Sequence, residues 1–93
     1  MGYKIKRFAK FTVYILKCKK GTYYTGYTSN LKKRIKLHNA GQGAKYLRGK
    51  APVKLVYSKK YKYYKCALNA EREIKTYSRQ KKENFLKTNG RYK

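Results

Sequence analysis

Short β-branched and aromatic runs alternate with turn residues in the first third of the chain. Residues 11–17 (FTVYILK) and 22–28 (TYYTGYT) have the composition of strands, and a turn glycine, Gly21, lies between them. This pattern predicts an antiparallel β-hairpin. A third strand is predicted over residues 53–57, followed by a solvated turn rich in lysine and tyrosine over residues 58–65.

A helix is predicted after the hairpin, from a cap at Ser29 or Asn30 to about Ala40, with Gly41 as its terminating glycine. One face of this helix combines two apolar and two polar side chains: Leu31, Arg34, Ile35 and His38. Polar residues that break an apolar face are expected at functional sites, so this face is a candidate for chemistry.

Two further helices are predicted over about residues 66–77 and 79–86. The element order ββαβαα predicts a small sheet with helices packed against it, which is an α+β domain. We expect this single domain to span residues 11–87, between a basic arm (residues 1–10) and a polar tail (residues 88–93). Residues 41–52 form a glycine-rich basic loop.

Charge points to an anionic partner. The chain has 27 lysines and arginines against 3 acidic residues, a formal net charge of +24. Nucleic acid is the leading candidate, and an anionic membrane is second. No apolar run is long enough for a membrane span or a signal peptide, so we expect a cytoplasmic protein associated with DNA. No obligate protein partner is evident, and a monomer is expected.

The cysteine and tyrosine contents indicate less about the function of the protein than its charge does. Cys18 and Cys66 are expected to be reduced thiols, and with one histidine they do not form a zinc site. The 12 tyrosines reflect either a coding bias or stacking on nucleic-acid bases, and both explanations stay open.

The three carboxylates differ in their predicted surroundings. Glu71 has Leu68 at i−3 and Ile74 at i+3, which places it on the apolar side of its helix, whereas Glu73 points towards water. A carboxylate on an apolar face requires a partner. For Glu71 this partner is either a metal ion or a structural cation such as Lys75 at i+4. Glu83 is expected to be an ordinary surface charge.

The relation between Tyr14 and Tyr24 depends on the hairpin turn. A three-residue turn over residues 18–20 would place the two side chains opposite each other on one face. A turn of two or four residues would place them on opposite faces. Both core packing and catalysis are open roles for such a pair.

The chain resembles the GIY-YIG nuclease domain in an ordered set of residues: Thr12-Val13-Tyr14, Tyr24-Thr25-Gly26, Arg34, His38 and Glu71. The resemblance covers about residues 11–87 and is closest to the small stand-alone branch related to the N-terminal nuclease domain of UvrC. Those proteins have a stretch similar to residues 41–48 (GQGAKYLR). Thr12-Val13 stands where the family often has Gly-Ile, and Thr25 stands where isoleucine is usual.

The resemblance implies a three-stranded antiparallel sheet flanked by helices and a metal-dependent endonuclease that hydrolyses DNA phosphodiester bonds. It implies that Glu71 holds one Mg²⁺ or Mn²⁺ ion and that Arg34 clamps the phosphate. Low sequence specificity is expected, with recognition of a branched, nicked or damaged structure. Repair, mobile-element and viral DNA processing all fit. The alternative is a non-catalytic basic DNA- or RNA-binding protein that keeps the fold.

The resemblance assigns roles to the other site residues as well. Tyr14 would act as general base, with its pKa lowered by local cations, and Tyr24 would assist by hydrogen bonding. Gly26 would allow close approach of the scissile phosphate. His38 would contact a phosphate or transfer a proton, or else be a neutral imidazole bonded within the core. Substrate contacts are also expected in the glycine-rich loop, from Lys45, Tyr46 and Arg48.

Overall fold

The computed structural model describes residues 10–42 and 52–89. Its elements are β1 (Phe11–Lys17), β2 (Tyr23–Thr28), α1 (Leu31–Asn39), β3 (Lys54–Tyr61), α2 (Tyr64–Lys75) and α3 (Arg79–Asn89). The predicted order ββαβαα and the α+β class are confirmed. In the described part of the chain, no helix is both long enough and apolar enough to cross a membrane.

β1 is the central strand of a three-stranded antiparallel sheet with the order β2-β1-β3. It is buried from Thr12 to Leu16, because helices cover both faces. One face packs against α1 through Tyr14, Leu16, Leu31 and Ile35. The opposite face packs against α2 and α3 through Val13, Ile15, Ala67, Ile74 and Leu86.

The hairpin turn is longer than predicted. Lys17 pairs with Tyr23, not with Gly21, so five residues connect β1 and β2. The Cys18 amide donates to the Thr22 carbonyl at 2.8 Å, and Gly21 takes a φ of 94°, which glycine adopts without strain. Because the connection still has an odd number of residues, Tyr14 and Tyr24 remain on one face. They are offset by two residues along the strands, with Tyr14 opposite Gly26 and Tyr24 opposite Leu16.

β3 continues to Tyr61, so the solvated turn predicted from residue 58 is wrong. Ser58 to Tyr61 pair with the first half of β1, because the central strand needs a hydrogen-bonding partner there. The register shifts between Ile15 and Leu16. α2 begins two residues earlier than predicted, and α3 includes two residues assigned to the polar tail.

The ends of α1 are fixed as the sequence predicts. The Asn30 side chain accepts a hydrogen bond from the Lys33 amide at 3.1 Å. At the other end Gly41 has a φ of 78°, and the amides of Gly41 and Gln42 donate back to the last turn. These caps fix where α1 starts and stops above the sheet, and therefore where its polar residues lie.

Candidate active site

A cleft of about 280 Å³ lies where the hairpin, α1 and α2 meet. Of the residues that the structure describes, six line it: Tyr14, Tyr24, Gly26, Tyr27, Arg34 and Glu71. Five of these were predicted as site residues from sequence. The fold therefore places side chains from β1, β2, α1 and α2 around one space.

Tyr14 is fully buried at the inner end of the cleft, with its hydroxyl 3.2 Å from Nε2 of His38. Burial, with the nearby Tyr24, raises the pKa of Tyr14 to about 12, although the charge and hydrogen bonding of Arg34 act in the opposite direction. The expectation that local cations lower this pKa is therefore wrong. The desolvation of the phenol outweighs the single guanidinium beside it.

His38 is also fully buried and lies behind Tyr14, outside the cleft lining. Burial and the positive charge of Arg34 lower the pKa of His38 below its usual value. The imidazole is therefore neutral at pH 7, and its Nε2 accepts a hydrogen bond from Tyr14 in the corresponding tautomer.

Glu71 forms the structural ion pair that the sequence left open as one alternative, and it also lines the cleft. Only 6 % of its surface is exposed, it lines the cleft, and its Oε2 lies 2.7 Å from Nζ of Lys75. The Lys75 side chain is half-exposed, so this ion pair forms at the boundary with solvent. Glu73 is exposed and outside the cleft lining. The predicted difference between the two glutamates is thus present in the structure.

Gly26 makes room for the Tyr14 phenol. A Cβ atom at this position would lie 2.7 Å from the Tyr14 hydroxyl oxygen and 3.1 Å from the ring of Tyr24. The resemblance implies that Gly26 allows a phosphate to approach, whereas the structure gives a steric reason within the protein. The Tyr24 ring contacts both the Tyr14 and His38 rings, at centroid distances of 6.3 and 5.6 Å.

Tyr27 was missed by the sequence analysis. It follows Gly26 on β2, and strand alternation assigns it to the face that packs against α2. Its hydroxyl lies 3.1 Å from that of Tyr64, and this hydrogen bond, with burial, raises the pKa of Tyr27. Two features of the sequence could have predicted Tyr27 as a site residue. It follows Gly26 directly, and it lies on the strand face that packs against the helix of Glu71.

The donor set of the cleft fits a hard divalent cation. Among the described residues that line it, Glu71 is the one carboxylate. Mg²⁺ or Mn²⁺ commonly takes one or two protein carboxylates, with substrate phosphate oxygens and waters completing the shell. The described residues contain no group of three or more His, Cys, Asp or Glu side chains that could hold a metal. Both cysteines are free thiols.

Three predicted substrate contacts, Lys45, Tyr46 and Arg48, lie outside the described residues. Nine exposed lysines lie on the hairpin, on α1 and at the end of β3: Lys17, Lys19, Lys20, Lys32, Lys33, Lys36, Lys59, Lys60 and Lys62.

Comparison with known proteins identifies the class that this fold and cleft define. The model of the GIY-YIG catalytic domain matches residues 10–84. The chain belongs to the GIY-YIG family. It is similar to a UPF0213 protein of Staphylococcus haemolyticus, with 53% identity over 74 residues that cover 80% of this chain and 90% of that protein. A UPF0213 protein of Streptococcus pneumoniae is 42% identical over 80 residues, which cover 86% of this chain and 81% of that protein.

Solved structures agree with this assignment. The solution NMR structure of a UPF0213 protein from Bacillus halodurans is 44% identical, with a TM-score of 0.60 over 87% of this chain and 86% of that one. The NMR structure of a protein from E. faecalis is 35% identical, with a TM-score of 0.61 over 89% and 88% of the two chains. The resemblance to small stand-alone GIY-YIG proteins is confirmed.

Proposed function

We propose that the protein is a metal-dependent endonuclease that hydrolyses DNA phosphodiester bonds, with low sequence specificity and a preference for branched or nicked structures. The observation that carries the proposal is that Tyr14, Arg34 and Glu71, from three different elements, line one cleft. Family membership and a net charge of +24 both favour nucleic acid as substrate.

Glu71 would hold the Mg²⁺ or Mn²⁺ ion. When bound, such an ion supplies charge neutralisation at the phosphoryl oxygens and lowers the pKa of coordinated water. Lys75 now neutralises the same carboxylate. Because its side chain is half-exposed, Lys75 can turn into solvent and release Glu71 at little cost.

Arg34 would orient the scissile phosphate. Its side chain lines the cleft from α1, opposite the α2 residue Glu71. A planar guanidinium donates two parallel hydrogen bonds to phosphate oxygens, which fixes the direction of the phosphate as well as its position. The positive charge also stabilises the extra negative charge that develops during hydrolysis.

Tyr14 and His38 would act together as the base. With a pKa of about 12, the phenol alone is almost entirely protonated at pH 7. In the proposed route a water O–H bond breaks as its proton passes to the Tyr14 oxygen. In the same step the original phenol proton passes to Nε2 of His38, 3.2 Å away, which becomes an imidazolium. The water oxygen bonds to phosphorus as the bond from phosphorus to the leaving oxygen breaks. The lowered pKa of His38 leaves its imidazole neutral at neutral pH, so that it can accept this proton.

The alternative function is non-catalytic binding of DNA or RNA by a domain that keeps the fold. Two observations favour it: the raised pKa of Tyr14 and the ion pair that occupies Glu71. Association with DNA in the cytoplasm would be common to both functions.

Incubation with supercoiled, branched and single-stranded DNA separates the two functions. The reactions contain Mg²⁺, Mn²⁺ or a chelator, and products are resolved on denaturing gels. A nuclease will cut at least one of the three forms with metal and none with chelator. A protein that shifts DNA on native gels but leaves every strand intact with either metal is a binding protein.

A further inference from the structure

A groove of about 550 Å³ lies on the side of α1 remote from the cleft, between α1, the start of β1 and β3. Its apolar part is formed by three half-buried side chains, Leu31, Ile35 and Leu55. Three exposed lysines surround them: Lys10, Lys32 and Lys60. No acidic residue is among the groove-lining residues that the structure describes. The groove therefore combines an apolar floor with a cationic rim.

The groove is connected to the cleft by shared residues. A recess of about 400 Å³ at the start of α1 is lined by Arg34, which also lines the cleft. The same recess is lined by Ser29 and Asn30, which also line the groove. The three depressions therefore adjoin one another along a path that passes around the first turn of α1, with Lys33 beside it.

We propose that this path holds an unpaired strand of the DNA substrate, which runs from the cleft around the start of α1 into the groove. The lysines of the rim contact its phosphates, and the aliphatic floor contacts its exposed base faces. This inference rests on the proposed function, in which the cleft holds a DNA strand. The strand in the groove is the continuation of that strand. It assigns the substrate class: DNA with an unpaired arm.

The geometry favours an unpaired strand over a duplex. The cleft is on the β2 side of α1, since β2 and α2 line it, whereas β3 residues line the groove. A ligand that occupies both must turn around the end of one helix. Duplex DNA has a persistence length of about 50 nm and does not follow so sharp a turn without a large bending cost. A single strand bends freely and also exposes the base faces that pairing hides.

Two pairs of substitutions with equal charge change test the proposal. Lys32→Gln with Lys60→Gln removes two cations from the groove. Lys59→Gln with Lys81→Gln removes two exposed cations elsewhere, one of them adjacent to Lys60 on β3. In this control pair, Lys59 lies over the ring of Tyr61 and Lys81 over that of Tyr77, and both rings pack on the opposite face of the sheet.

Binding is measured by fluorescence anisotropy in the presence of a chelator, with a short duplex, the same duplex with an unpaired arm, and the arm alone. The groove variant is expected to bind the two DNAs with an unpaired strand roughly tenfold more weakly than the control variant. The slope of log affinity against log salt for the arm alone should fall by about 1.4, the value for two lost phosphate contacts. Both variants should bind the plain duplex equally.

Two results would overturn the proposal. Equal binding of all three DNAs by the groove and control variants would show that the groove holds something other than DNA. Equal weakening of duplex and armed DNA by the groove variant would show that it holds a duplex. The binding assay contains a chelator and therefore does not depend on cleavage. A wild-type protein that binds as expected here, but never cleaves DNA when metal is supplied, contradicts only the nuclease function.

Discussion

At the scale of single residues, Thr25 stands out because it brings a hydroxyl into the core. Its side chain is 97 % buried, on β2 opposite Ile15, and among the described residues its Oγ1 has no hydrogen-bond partner. A buried hydroxyl without a partner loses its hydration and gains nothing in return. Thr25 is therefore expected to reduce stability relative to an apolar residue of the same shape.

Thr25→Val is therefore expected to raise the free energy of unfolding by about 1 kcal/mol, since it removes the unpaired hydroxyl and keeps the shape. Urea unfolding followed by circular dichroism measures this change. Thr28→Val is the matched control, because the Thr28 Oγ1 accepts the Asn30 amide at 3.1 Å, and its loss should destabilise the fold. Destabilisation by Thr25→Val would mean that its hydroxyl is paired in solution.

A second residue-scale prediction concerns Lys75. If it competes with a metal ion for Glu71, Lys75→Gln should strengthen Mn²⁺ binding about twofold, the size expected for a half-exposed i,i+4 ion pair. Paramagnetic broadening of NMR signals near Glu71 measures the affinity without any reaction. Arg79→Gln breaks the other i,i+4 pair, with Glu83, and changes the net charge equally. An identical effect of both substitutions would assign the change to net charge rather than to Glu71.

At the scale of elements, sequence predicted most accurately what local interactions determine. The caps of α1 and the apolar run of β1 depend on neighbouring residues, and both were predicted. β3 from Ser58 to Tyr61 was missed, because its polar composition does not favour a strand and pairing with β1 creates it. The hairpin length was missed for a related reason: the bond between Cys18 and Thr22 lengthens the connection.

The contact between α1 and β1 through His38 and Tyr14 predicts a pH dependence of stability. The pKa of His38 is lowered in the folded state. Below a pH of about 6.5, the histidine of the unfolded chain therefore binds a proton more readily than that of the folded chain. The free energy of unfolding should therefore decrease from pH 7 towards pH 5, by up to about 1.4 kcal/mol per pH unit.

Urea unfolding at several pH values tests this point, with His38→Gln as the control. The chain has 1 histidine, so the variant should lose most of the dependence. A wild-type protein and a His38→Gln variant with the same pH dependence would show that His38 is not protected from protons in solution.

At the scale of the whole molecule, the cleft depends on contacts that no local pattern contains. Helical spacing alone distinguished Glu71 from Glu73, and the motif order placed Tyr14, Tyr24 and Arg34 together. The burial that raises the pKa of Tyr14 and the depth of His38 follow from packing of α1 on the sheet, which the sequence did not reveal. Tyr27 joins the site only because β2 and α2 adjoin.

The most direct test of the account compares two glutamates that differ only in where the fold places them. Single-turnover cleavage of a branched DNA in Mg²⁺ is measured for the wild type, Glu71→Gln and Glu73→Gln, which carry equal charge changes. Glu71→Gln should lower the rate at least about a hundredfold, as loss of one charge-stabilising group does in other active sites. Glu73→Gln should leave it within about twofold. Loss of cleavage in Glu73→Gln with full activity in Glu71→Gln would contradict the account.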